Sequence, residues 1–171
     1  DQTPGSSHRT PVNTKKADGT WVVVFASGYN NTGGDGRGHL FVLNANTGEK
    51  LQDIATTAGT VSAPSGLAKI NAWIDDAANN TSKRFYGGDM LGNLWRFDID
   101  GLIEPRRAAL ELATFQVGTT PQPITSPIAV PTRPITTPWA TKIGRIDAAR
   151  SPIARRIPIS RVLSVTTIVN V

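Results

Sequence analysis

The sequence contains no cysteine, which removes disulfides, thiolate zinc sites and cysteine nucleophiles together. Histidine is nearly as scarce, with only His8 and His39, too few for a histidine-based metal cluster. No uninterrupted apolar run approaches the ~20 residues that a spanning helix requires. Residues 1–16 are polar and lack the apolar centre of a secretory signal. Acidic charge is missing from one region only. From residue 131 onward there are seven Lys and Arg against Asp147 alone, a net +6, whereas residues 1–130 carry eleven Lys and Arg against twelve acids, a net −1. The overall +5 therefore belongs to the tail, and no nucleic-acid partner is expected for the rest.

What is present reads as strands and turns. "TWVVVFASGY", "HLFVLNA", "LQDIATT", "LAKINAWID", "RFYGGD" and "NLWRFDID" are short apolar or alternating runs. They are separated by "NNTGGDGRG", "NTGEK", "AGTVSAPSG" and "DAANNTSK", all rich in turn formers. "AALELATFQV" is compatible with a strand or a short helix. The pattern predicts an all-β chain with a flexible lead-in over 1–18, a β domain over 19–126 and a basic, Pro- and Arg-rich tail over 127–171.

Two segments repeat. "GHLFVLN" at 38–44 and "GNLWRFD" at 92–98 share Gly, polar, Leu, aromatic, any residue, apolar, Asn or Asp, at an offset of 54 residues. Each follows an apolar strand and a glycine-rich turn. This spacing lies near the ~40–50 residues of a propeller blade and predicts a partial β-propeller of about two blades. In the second copy, Gly87 and Gly88 are expected to permit close backbone approach. Asp89, Gly92 and Asn93 are expected to form the turn, and Leu94, Trp95 and Phe97 to pack between sheets. Asp98 ends the strand. The acids read mostly as architecture.

The order "WVVVFASGYNNTGGDGRGHLFVLNANTGEKL", "SGLAKINAWIDD", "RFYGGDMLGNLWRFDID", "PQPITS" resembles the C-terminal β-propeller of the PilC/PilY family, the tip-associated adhesin and biogenesis factors of type IV pili. The resemblance runs from about Gly19 to about Ser126 and covers only about two of the family's blades, so the chain reads as part of a larger protein. It implies a place in the periplasm, outer membrane or cell surface. It also implies partners among type IV pilus subunits or the remainder of the propeller, contact with host or abiotic surfaces, and no catalysis. A calcium loop precedes the "YGGD" strand in many family members, and its ligand positions fall here on Asp75, Ala77, Asn79 and Lys83, with Asn80 at the glycine. Asp75 and Asn79 are the metal candidates. Ala77 offers no oxygen and Lys83 brings a cation, whereas calcium takes six to eight oxygens. No cofactor is therefore expected.

The remaining signals read as structure. "GGDGRG" at 33–38 resembles a phosphate loop, but a strand follows it where a helix N-terminus is required. Asp98 and Asp100 would share a strand face, yet their place before Gly101 is one where acids are usually solvated. His39 is expected to be exposed. The abrupt change of composition near residue 127 suggests either a basic, disordered segment contacting anionic surfaces or nucleic acid or, the favoured reading, a shift of reading frame. Besides the pilus-tip reading, two others compete: a fragment of a quinoprotein-type dehydrogenase propeller, which shares turns like "NTGEKL", and a purely structural propeller scaffold.

Overall fold

A computed structural model describes residues 10–29 and 31–130. Residues 1–9 of the expected lead-in, and the expected tail from residue 131 on, lie outside the described residues. Ten strands and no helix occur among them: β1 Val12–Lys15, β2 Trp21–Ala26, β3 His39–Asn44, β4 Lys50–Ala55, β5 Ile70–Trp73, β6 Arg84–Gly88, β7 Asn93–Asp98, β8 Ala109–Thr114, β9 Gln116–Val117 and β10 Thr120–Pro121. Two four-stranded antiparallel sheets result, β1-β2-β3-β4 and β5-β6-β7-β8, with β9 and β10 as a small hairpin.

The turns explain the meander. Thr20 N–H donates to Asp18 Oδ1 at 2.8 Å and Gly19 adopts φ +87°, which folds β1 back onto β2. Asn44 Oδ1 accepts from the N–H groups of Asn46 and Thr47, an Asx turn that reverses β3 into β4. The first strand corrects the expected lead-in. Val12–Lys15 is no loose segment but pairs with β2 from Val12↔Val24 to Lys15↔Trp21. The ambiguous "AALELATFQV" is a strand, because β7 offers it a free edge from Asn93 to Phe97.

The core lies between the two sheets. From the first come Val22, Val24, Ala26, Leu40, Val42 and Ile54; from the second, Ile70, Ala72, Phe85, Trp95 and Phe97, joined by Leu67 and Ile99. Each large side chain that is fully buried here contributes roughly 1.5–3 kcal/mol. Leu40 and Val42 face this core from the first sheet, Trp95 and Phe97 from the second. In the 54-residue alignment those pairs differ by one position, which on a strand means the opposite face. A radial stack requires this, since each blade shows one face to the blade before it and the other to the blade after.

Hydrogen bonds repeat with the sequence. Ser27 N–H donates to His39 O, and Asp89 N–H to Asn93 O. His39 N–H donates to Ser27 Oγ at 3.0 Å, as Asn93 N–H does to Asp89 Oδ1 at 2.8 Å. Thr56 N–H donates to Gly38 O, and Phe115 N–H to Gly92 O, both at 2.8 Å. The chain also leaves each blade by a backbone bond to its corner, at positions one residue apart in the two copies. Leu67 N–H donates to Gly28 O after the first, and Ile124 N–H to Asp89 O after the second, both at 2.9 Å. Both sheets also shift register once between the third and fourth strands, at Val42/Leu43 and at Leu94/Trp95. These are two copies of one blade.

Candidate functional site

The corner between β6 and β7 gathers most of the residues singled out in the sequence. Asp89 is fully buried. Its Oδ1 accepts from the N–H groups of Leu91 and Asn93, and its Oδ2 accepts from Asn93 Nδ2 at 2.9 Å and Trp95 Nε1 at 2.8 Å. Asn93 Oδ1 in turn accepts from the Thr114 hydroxyl, which ties the corner to β8. Gly92 stands at φ +83°, and a Cβ there would lie 2.3 Å from Phe115 O. The other two glycines make room for side chains rather than for backbone, which corrects the expectation. A Cβ on Gly87 would meet Leu67 and Ile70 at 3.1 Å, and one on Gly88 would meet Ile124 at 2.2 Å. Trp95 and Phe97 fill the core, whereas Leu94 points to the opposite face and borders a groove shared with Phe115, Ile124 and Ile128.

Two further expectations are corrected by burial. Asp98 is only 2% exposed; its Oδ1 accepts from Asp100 and Gly101 N–H, its Oδ2 from Ile103 N–H. The acid closes the β7 end through backbone donors instead of facing water. Asp100 does not join it in a carboxylate pair. It accepts from Ala17 N–H at 3.0 Å and faces Lys16 Nζ at 3.7 Å, linking the second blade to the first. His39 is buried at 6% exposure, with Nδ1 2.6 Å from Asp53 Oδ1 and Nε2 3.1 Å from Asp35 Oδ1. Burial pushes the Asp35 carboxyl up. The backbone N–H of Arg37, the His39 hydrogen bond and charge, and the charge of Arg37 outweigh it and hold the group below its ordinary 3.8. The glycine-rich stretch 33–38 is thus closed on its own strand, and Gly36 O accepts from Ser65 N–H at 2.8 Å.

The loop that the resemblance aligns with a calcium site turns its candidate oxygens to the protein. Asp75 Oδ1 accepts from the Arg84 guanidinium and Oδ2 from Lys83 N–H, each at 2.8 Å. Asn79 Oδ1 accepts from the Thr81 hydroxyl, and Asp76 Oδ1 from Ala78 N–H. The oxygens that calcium would use are thus turned to protein donors, and a cation already stands beside Asp75. Among the described residues, no three His, Asp or Glu side chains converge as a metal cluster.

Sequence reading missed the cleft between the blades. It has a volume of about 550 Å³ and is lined by Lys16, Gln52, Asp98, Asp100 and Arg106, among others. Gln52 Nε2 donates across it to Ile99 O at 2.9 Å, a contact spanning 47 residues that no local pattern announces.

Comparison with known proteins places these features. A family model described as the PilY1 beta-propeller domain matches residues 3–110, which takes in β1. Two type IV pilus biogenesis factor PilY1 homologs of Xylella fastidiosa are 32% identical over 97 residues and 33% over 94, covering 53% and 54% of this chain and 6% and 7% of theirs. The type IV pilus biogenesis factor PilY1 of Pseudomonas aeruginosa is 31% identical over 101 residues, 58% of this chain and 8% of that protein. The chain thus spans less than a tenth of these relatives' length. The crystal structure of the Pseudomonas aeruginosa PilY1 C-terminal domain superimposes with a TM-score of 0.60 at 24% identity, over 74% of this chain and 30% of that one, a likeness of fold.

Proposed function

The chain belongs to the PilY1 beta-propeller family, and from that premise we propose that it forms two blades of a non-catalytic protein acting in type IV pilus biogenesis and surface adhesion. Its place is the periplasm, the outer membrane or the cell surface. Its partners are pilus subunits or the remainder of the propeller, and host or abiotic surfaces. Among the described residues no helix is long and apolar enough to cross a membrane.

The observation that carries the reading is what the buried acids do. Asp89 and Asp98 lie in the most specific stretch of the sequence, and each meets backbone, amide or indole donors on both oxygens. A general acid or base must reach a substrate proton; Asp89 is fully buried under four donors, and Asp98, 2% exposed, is held by three backbone N–H groups. They hold the corners that set the blades in register, as a binding scaffold requires.

A chimera tests the proposal. Residues 12–126 replace the matching blades of the Pseudomonas aeruginosa factor in cells that lack it, and surface pili are counted. Restored piliation is expected. A chimera that is exported and stable yet leaves the cells bare would overturn the proposal.

A further inference from the structure

We propose that loop 75–83 is a permanently closed latch between the blades, with the positive charge supplied by Arg84 in place of calcium, so that this protein is insensitive to the ion at a position where its relatives' pattern implies a response. Three observations meet here. The Arg84 guanidinium donates to Asp75 Oδ1 at 2.8 Å and lies 4.8 Å from the Trp73 ring centroid, so the cation is held by charge on one side and by an aromatic face on the other. Lys83 occupies the last ligand position, and its N–H satisfies the second Asp75 oxygen. Asn80, at the position of the loop glycine, takes φ 67°, a conformation that asparagine tolerates better than most residues.

The closed loop then reaches the first blade. Asn80 O accepts from Lys15 N–H at 2.9 Å and from the Thr14 hydroxyl at 2.7 Å. Ser82 N–H donates to Lys15 O at 3.2 Å, and Thr81 pairs with Lys15 in parallel. The loop thus covers the edge of β1, whose backbone groups would otherwise be open to another chain. An ion-gated loop would make that edge conditional. One closed by its own arginine keeps it covered at any calcium concentration.

Trp73 beside the loop provides the readout, because indole sensitises terbium, a luminescent stand-in for calcium. The full chain is titrated with terbium, and its thermal midpoint is measured in millimolar calcium and in chelator. No saturable loop emission is expected, and the two midpoints should coincide. In either buffer Arg84→Ala should melt about 4 °C lower. Arg84→Lys keeps the charge, and it should fold and remain indifferent to calcium even if the alanine variant does not fold. Saturable emission displaced by calcium, a calcium-dependent midpoint in the unsubstituted chain or in Arg84→Lys, or an unchanged midpoint in Arg84→Ala would overturn the proposal.

Discussion

A carboxylate removed from water is tolerated only when donors replace the water, and Asp89 meets four of them. Asp89→Asn keeps one acceptor but turns an amide toward Asn93 Nδ2 and Trp95 Nε1, donors themselves. We expect a loss of about 2–4 kcal/mol in urea unfolding. Ser27 holds the same place in the first blade with a single bond to His39 N–H, so Ser27→Ala should cost only about 1 kcal/mol. An equal cost at both positions would contradict the assignment of four side-chain bonds to Asp89 and one to Ser27. Asp35 adds a pH dependence. Its folded value lies below the ordinary 3.8, so the stability it contributes is fully present above 3.8 and is lost as pH falls through the depressed value. The stability gap between the unsubstituted chain and Asp35→Asn should therefore shrink in acid below 3.8; a gap that stays constant would contradict the sign. Turn chemistry at Asp89 was legible because its side-chain partners lie within six residues, whereas the bond from Thr114 to Asn93 spans twenty-one. The burial of His39 was not legible, since its partner Asp53 comes from a neighbouring strand fourteen residues on.

Among the elements, the exit from the second blade rests on a glycine. Ile124 fills the space above Gly88 that a Cβ would take, and its N–H bonds to Asp89 O. Gly88→Ala should destabilise by about 1–3 kcal/mol through overpacking. Ile124→Ala in the same chain should recover part of that loss, a coupling of roughly 0.5–3 kcal/mol in a double-mutant cycle. Additive costs would show that the two residues do not touch. Six strands were readable from apolar runs bounded by turns. β1 was not, because "VNTK" is short and mostly polar and becomes a strand only through its pairing with β2. β8 was ambiguous for a related reason: its burial pattern lacks a clean alternation, and the open edge of β7 decided the outcome.

At the level of the whole molecule, the 54-residue repeat pointed to stacked blades, while the face each strand turns to the core had to come from the structure. The alternation of faces between Leu40/Val42 and Trp95/Phe97 makes the two sheets successive members of one radial stack. Cross-blade contacts such as Gln52 to Ile99 and Asp100 to Ala17 join residues far apart in sequence, and residue types alone do not reveal them. The central claim is that this pair of blades serves pilus assembly and attachment. It is tested most directly by deleting the codons for residues 12–126 in frame from the native gene, then counting surface pili and measuring attachment to host and abiotic surfaces. The account predicts that both fall sharply, whereas cells that keep their full complement of pili and their attachment would contradict it.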